Sequence, residues 1–360
     1  MRIAQIAPLT EAVPPTLYGG TERVISWLTE ELVDMGHDVT LFASGDSVTR
    51  ARLEAVWPRA LRLDGRVRDG NALHMMMIEQ VYRRAHEFDV LHFHLDYYPF
   101  SLMSRQPTPF ITTLHGRLDL PEHQPLFQTF DTPALVSISD AQRQPIARAN
   151  WARTIHHGLP PTLVQPLPAQ PAYLAFLGRI APEKRADRAI RIAQACKLPL
   201  KIAAKVDAVD QEYFEAEIEP MLAWPGVEFI GEIGDADKSA FLSGAAALLV
   251  PIDWPEPFGL VMIEAMAAGT PVIAYRQGSV SEVVEDGVTG FIVQDEEQAV
   301  QAVARLGELS RPAIRSRFLA RFSVRRMAEQ YVELYREMLE GAPRDPQQLD
   351  GACGSMLNVA

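Results

Sequence analysis

Residues Pro251 to Thr270 read Pro-Ile-Asp-Trp-Pro-Glu-Pro-Phe-Gly-Leu-Val-Met-Ile-Glu-Ala-Met-Ala-Ala-Gly-Thr. Ahead of them, Ala245 to Val250 is a short apolar run of the kind that lies buried in a parallel sheet. Pro255 and Pro257 cannot continue a strand and impose an irregular loop. From Phe258 onward the residues predict a helix that Gly269 ends, with Pro271 just beyond. Glu256 then falls where a strand ends and a helix begins, the crevice in which open parallel sheets bind ligands. The free amides of Phe258, Gly259 and Leu260 at the helix start attract phosphate. At about 1.5 Å per residue, Glu264 lies roughly 7 to 8 Å further along that helix. Two carboxylates so separated can hold hydroxyls at the two ends of a sugar-diphosphate-ribose, with the helix dipole facing the diphosphate between them.

The same residues carry a resemblance. Glu256 and Glu264 form a Glu-x7-Glu pair inside Glu-Pro-Phe-Gly-Leu-x4-Glu-Ala-x-Ala-x-Gly-Thr-Pro-Val, which resembles the signature of family 4 of the retaining glycosyltransferases. A bare Glu-x7-Glu pair arises by chance in many helices and can be two solvated glutamates. The Pro-Phe-Gly insert and the Gly-Thr-Pro-Val exit make it specific. The resemblance implies an α/β fold of GT-B architecture, two Rossmann-like doubly wound domains facing each other across a cleft. The second domain would hold most of a nucleotide diphosphate sugar and the first the acceptor.

Composition agrees with a two-domain protein. The chain has 360 residues, too long for one comfortable core, and 48% hydrophobic residues. A formal net charge of −12 argues against nucleic acid and against an anionic membrane as default partners. The start, Met1 to Pro8, is too short and too interrupted for a signal peptide, and no apolar run approaches the roughly 20 residues of a membrane helix, so a cytoplasmic protein is expected. Cys196 and Cys353 lack the spacing of a disulfide framework or a zinc site.

Before the linker the chain reads as one strand and helix series. Arg2 to Ala7 predicts a buried strand. A proline-rich loop then closes on Tyr18-Gly19-Gly20-Thr21-Glu22-Arg23, with Thr21 as N-cap of a helix carrying Val24, Leu28 and Leu32 on one face. This is strand, glycine loop, helix, but not the Gly-x-Gly-x-x-Gly fingerprint of dinucleotide binders, which disfavours nicotinamide and flavin enzymes. Adjacent glycines let backbone approach a ligand at a helix N-terminus. The resemblance gives Gly19 and Gly20 a place against the donor diphosphate, while Glu22, which phosphate would repel, is left to acceptor contact or local structure. Arg50, Arg52, Arg59, Arg62, Arg66 and Arg68 surround Trp57 and Leu61. That segment reads as a solvated variable loop, and peripheral contact with an anionic acceptor or membrane surface stays open. Leu73 to Phe88 predicts a helix and Asp89 to His94 a strand; His92 and His94 are expected on opposite faces, poor geometry for one metal. Asp96 and Tyr97 beside them are acceptor-side candidates. Phe110 to Gly116 is a strand ending in His115-Gly116, and by resemblance His115 stands against the transferred sugar. Ser139 or Asp140 caps the helix after the strand at Leu135.

The proline-rich run Gly158 to Pro171 is the clearest linker. Boundaries follow at residues 1–165, 166–325, a C-terminal helix at 326–340 with Met327, Tyr331 and Leu334 on one face, and a tail at 341–360 without periodicity. By resemblance that helix returns to the first domain. Ala172 to Leu177 opens a second strand and helix series, followed by Gly178-Arg179-Ile180-Ala181-Pro182-Glu183-Lys184. Guanidinium and ammonium groups at a strand end can meet a diphosphate, and the Gly-Arg-x4-Glu-Lys spacing is similar to the family's phosphate-binding pair, so Arg179 and Lys184 take that role with Glu183 orienting one of them. Where many members have a glycine-rich turn, this chain reads Ala203-Ala204-Lys205-Val206-Asp207, and Lys205 is a candidate for a phosphate. The implied reaction is hexose transfer with retention, with uridine diphosphate glucose the first donor the resemblance suggests. Fixed cations would stand in for a metal, and no cofactor beyond the donor is expected. A phosphorylase, a nucleotide-sugar epimerase or a non-catalytic binding protein remain as alternatives.

Overall fold

The computed structural model describes residues 1–16 and 19–341. Tyr18, Cys353 and all of the expected tail except Gly341 lie outside them. Seven short strands near the N-terminus, β1 (Arg2–Ile6), β2 (Asp38–Ser44), β3 (Arg52–Trp57), β4 (Val90–Phe93), β5 (Phe110–Thr113), β6 (Ala134–Ser137) and β7 (Trp151–Thr154), pair in parallel in the order β3-β2-β1-β4-β5-β6-β7. Six more, β8 (Tyr173–Ile180), β9 (Leu200–Val206), β10 (Val227–Gly231), β11 (Ala245–Val250), β12 (Val272–Tyr275) and β13 (Gly290–Val293), form a second parallel sheet ordered β10-β9-β8-β11-β12-β13. These are two Rossmann-like doubly wound sheets, the expected GT-B architecture. Strand order reverses beside β1 and β4 in the first sheet and beside β8 and β11 in the second, and ligands of open α/β sheets bind at such switch points.

The helices that matter to the site are α1 (Gly20–Asp34), α2 (Gly70–Arg84), α3 (Ala186–Cys196), α4 (Asp235–Ser243), α5 (Leu260–Ala267) and α6 (Val324–Gly341). α6 leaves the second half and packs on the first: Met327, Tyr331 and Tyr335 are buried with Ile3, Val24, Leu28 and Leu32. Leu334 shares that cluster, as the helical spacing predicts.

Three local expectations change. α1 begins at Gly20 with Gly19 as its N-cap and no side-chain cap, so Thr21 lies inside the helix. The arginine-rich segment opens as an edge strand, β3, and only its later part is the expected loop. Three of its six arginines are tied down: Arg50 by Glu30 and Asp34, Arg62 by Glu11, and Arg66 by Asp64. Helix α5 starts at Leu260, two residues later than read, because Gly259 takes a left-handed φ of 82° and turns the chain into the helix.

Candidate active site

The loop from Pro251 to Gly259 leaves the C-terminal end of β11 and enters α5, and it lines a cavity of about 990 Å³ between the two sheets. From the second half come Arg179, Glu183, Lys184, Lys238, Trp254, Glu256, Phe258, Gly259, Leu260 and Glu264. From the first come Gly19, Gly20, Glu22, Arg23, His115 and Gly116. A Cβ on Gly20 would sit 3.6 Å from the Leu260 side chain, so the glycine loop and the start of α5 meet directly. Lys205 is not among the lining residues; its ammonium reaches the Asp207 carboxylate at 2.8 Å.

The Glu256 carboxylate pairs with the Lys184 ammonium and accepts a hydrogen bond from Trp254 Nε1 at 3.0 Å. The same ammonium stands 4.8 Å from the centre of the Trp254 ring. Trp254 therefore braces both charges, a role that its position between Asp253 and Pro255 in sequence does not announce. Arg179 donates to Glu183 at 2.7 Å, the expected orienting contact, and has Asp207 and Asp210 at 3.6 and 3.7 Å. This guanidinium enters the cavity with three carboxylates around it, so its field toward a diphosphate is weaker than the spacing implied.

Glu264 is 3% exposed and accepts from Lys238 at 2.6 Å. Lys238 also reaches Asp235 at 3.1 Å, and Asp235 pairs across the cleft with Arg23 of α1. The sequence reading overlooked this chain of charges. Asp235-Ala236-Asp237 has the Asp-x-Asp spacing of a metal site, but Asp235 is occupied by two cations. Among the described residues no cluster of His, Cys, Asp and Glu could hold a metal ion.

His115 hangs from the end of β5 and takes part in a histidine cluster. The expectation of opposite faces is wrong: side chains alternate along a strand with a period of two, so His92 and His94 share one face, and their rings stand 4.1 Å apart. Gln5 Oε1 lies 2.8 Å from His94 Nε2, which must donate to it. His94 Nδ1 is then an acceptor, and His115 Nε2 donates to it at 2.8 Å. His115 Nδ1 is left as a lone pair without a hydrogen-bond partner among the described residues. On the far side His92 Nδ1 accepts from Tyr335 at 2.7 Å, and its Nε2 donates to Thr113. A polar chain thus runs from α6 to His115 and fixes its tautomer. His157 stacks on His115 at 5.2 Å and meets the Phe258 ring edge-on at 5.0 Å, so the Phe258 ring links the loop before α5 to the histidine cluster.

Burial holds His92, His94 and His157 well below the usual histidine range and His115 down to about 3. In the unfolded chain all four titrate near 6.5, so the folded state refuses protons that the unfolded chain takes up. Their contribution to stability is full above about pH 6.5 and is lost as pH falls toward the folded values, each histidine giving up to about 1.4 kcal/mol per pH unit. The melting temperature should therefore drop steeply between about pH 6.5 and 5, before most carboxylates titrate. A flat profile by differential scanning fluorimetry over that window would contradict the neutral cluster.

A second cavity, of about 700 Å³, lies on the first half between β1, β4 and the start of α2. Glu22 and Asp96 both line it, as acceptor-side candidates should. Tyr97 does not; its neighbour Tyr98 does, and Tyr97 stacks on it at 5.6 Å. Burial raises the pKa of Glu22, while Asp96 is exposed at the cavity.

Comparison with known proteins follows the same division of the chain. The family model described as Glycosyltransferase Family 4 matches residues 18–163, and that described as Glycosyl transferases group 1 matches residues 164–318. A phosphatidyl-myo-inositol mannosyltransferase of Mycolicibacterium smegmatis is 27% identical over 352 residues, 90% of this chain and 89% of its own. A D-inositol 3-phosphate glycosyltransferase of Saccharomonospora viridis is 31% identical over 194 residues, 48% of this chain and 44% of its own. The crystal structure of a glycosyltransferase involved in avilamycin A biosynthesis matches with a TM-score of 0.72 at 25% identity, over 95% of this chain and 98% of that one. Sucrose-phosphate synthase from Thermosynechococcus elongatus shares the fold at a TM-score of 0.76 and 21% identity, over 94% and 99% of the two chains. With two glycosyltransferase family models laid end to end over residues 18–318 and a GT-B fold beneath them, this chain belongs to the group 1 glycosyltransferases of GT-B fold.

Proposed function

We propose that the protein moves a hexose from a nucleotide diphosphate sugar to an acceptor hydroxyl, with the anomeric configuration retained and without a metal. The observation that carries this reading is the set of groups converging on one cavity: Glu256 with Lys184 and Trp254 from the second half, His115 from the first. Lys184, Arg179 and the amides at the start of α5 neutralise the diphosphate as it leaves, the largest electrostatic contribution in such chemistry. Glu256 reads hydroxyls of the sugar and Glu264 those of the ribose, while the glycine loop at Gly19 and Gly20 closes over the phosphates. Both carboxylates are committed to recognition, so no covalent glycosyl-enzyme forms. As the bond from the anomeric carbon to the phosphate oxygen breaks, the acceptor oxygen bonds to that carbon on the same face. The acceptor proton passes to the departing phosphate oxygen.

Glucose and mannose are both candidate hexoses. The resemblance suggests uridine diphosphate glucose first, and the relative similar over nearly its whole length bears a mannosyltransferase name. The decisive experiment is nucleotide release from UDP-glucose, UDP-N-acetylglucosamine, GDP-mannose and ADP-glucose in EDTA. Slow release from one of them is expected. Full loss on chelation would overturn the metal-free mechanism, and binding without release from any donor would favour a nucleotide-sugar-binding protein.

A further inference from the structure

We infer that the cavity beside His115 takes an uncharged polyhydroxyl acceptor, a sugar or cyclic polyol, and turns away acceptors whose reacting unit carries a phosphate. The inference rests on the glycosyl-transfer reading above and names the substrate class of its acceptor side.

The 700 Å³ cavity and the 990 Å³ cavity share Thr21, Glu22, His115 and Gly116. A hydroxyl delivered through that junction arrives beside His115 and the sugar end of the donor cavity. The charges around the smaller cavity are mostly negative. Glu22, Asp69 and Asp96 contribute three carboxyl groups against one guanidinium, the exposed Arg68, among the described lining residues.

Each feature that would welcome a phosphate is already engaged. The N-terminus of α2 opens toward the cavity, but the Asp69 carboxylate accepts from the amides of Asn71 and Ala72 at 3.0 and 3.3 Å and closes it. His74 Nε2 accepts the Leu9 amide at 3.1 Å and its Nδ1 donates to the Gly70 carbonyl at 2.8 Å, so both nitrogens are occupied and the ring is neutral. An anion placed here would meet Glu22 and Asp96, offset by Arg68 on the lining and by Arg62 beside Glu22, which Glu11 already pairs.

Each feature that would welcome hydroxyls stands open. Asp96 adopts a left-handed φ of 46°, which aspartate tolerates. Its carboxyl lines the cavity and has no hydrogen-bond or ion-pair partner among the described residues, so it can accept from one or two ligand hydroxyls. Tyr98 also lines the cavity and stacks on Tyr97 with an interplanar angle of 6°, offering a flat face of the kind on which a pyranose ring lies. Two relatives are named for inositol lipid or inositol phosphate acceptors; the charge of this cavity sets the chain apart from such acceptors.

The test adds acceptors to the full chain with the donor chosen by the release assay. One set holds the methyl glycosides of glucose, mannose and galactose with myo-inositol; the other holds glucose 6-phosphate and myo-inositol monophosphate. At least one neutral acceptor should raise nucleotide release and give a glycosylated product by mass spectrometry, while the phosphates leave the rate within about twofold. Asp96→Asn should raise the KM of that acceptor about tenfold with less effect on kcat, the cost of weakening one charge-assisted hydrogen bond, and Asp96→Arg should shift the preference toward the phosphates. Preference of the native chain for a phosphorylated acceptor overturns the inference, and so does donor turnover that no neutral acceptor raises. A chain that turns over no donor under any condition sinks the transfer reading itself, which the acceptor-free assay reports separately.

Discussion

Glu256→Ala is expected to lower kcat for nucleotide release by roughly 10²–10³-fold, the usual effect of deleting one electrostatic contact from a preorganised site. Glu256 does two things at once. Its carboxylate stands in the cavity where the resemblance puts the sugar, and it also holds Lys184 and the Trp254 indole in place. Removing it leaves the ammonium beside the indole ring alone and free to swing from the diphosphate path. Glu256→Gln keeps an oxygen for the indole N–H and loses the charge that attracts Lys184, so it should fall between the native enzyme and the alanine variant. Glu264→Ala should behave differently. Glu264 is buried against Lys238 on the second turn of α5, away from the bond that breaks, so the variant should raise donor KM about tenfold with kcat less affected. Steady-state kinetics on the three variants decide the matter: equal, small effects at both glutamates would end the assignment of separate roles.

The part of the site legible in sequence is the part written in short-range chemistry. Pro255 and Pro257 break the strand at β11, Gly259 turns the chain into α5, and the pair Glu256 and Glu264 is placed by that loop and helix alone. His115 and Lys184 were legible for the same reason, each at the end of a strand whose apolar run is plain. What the sequence hides is long-range register. Gln5 looks like an interruption in the first strand, yet with β1 beside β4 it lies between His92 and His94. Tyr331 reads as part of the apolar face of a helix and Tyr335 goes unnoticed, and only the packing of α6 on the first sheet turns their hydroxyls onto Thr113 and His92. Lys238 and Glu264 stand 26 residues apart with a strand between them, so nothing local pairs them. His92 and His94, two residues apart, share a face by the strand's own period, so their contact was legible in the sequence and the opposite-face reading misapplied the rule.

Gly278→Ala is expected to reduce kcat nearly as much as Glu256→Ala although it removes no charge and touches no ligand. Gly278 has a φ of 49° and lies under the Glu256 loop. A Cβ there would stand 2.3 Å from the Glu256 carbonyl oxygen, 2.5 Å from its nitrogen and 2.6 Å from the Pro255 carbonyl carbon. All three are backbone atoms, which cannot swing away as a side chain does. The loop is also pinned there, since Ser279 donates from its amide to the Glu256 carbonyl at 3.0 Å and from its hydroxyl to the Phe258 carbonyl at 2.8 Å. An added methyl must therefore lift the loop and with it the carboxylate, and misplacement by about 1 Å costs on the order of 10²-fold in rate. The control is Gly287→Ala. Gly287 has a φ of 73° and nothing within 4 Å of its would-be Cβ, so it carries the left-handed cost of about 1–2 kcal/mol without the collision. Both variants should melt a few degrees lower by calorimetry, but only Gly278→Ala should lose turnover. If Gly278→Ala keeps kcat within about threefold of native, well short of what a displaced site costs, the loop is not held where the structure puts it. If Gly287→Ala loses turnover as well, backbone strain anywhere in this half reaches the site, and the contact between Gly278 and Glu256 carries no special weight.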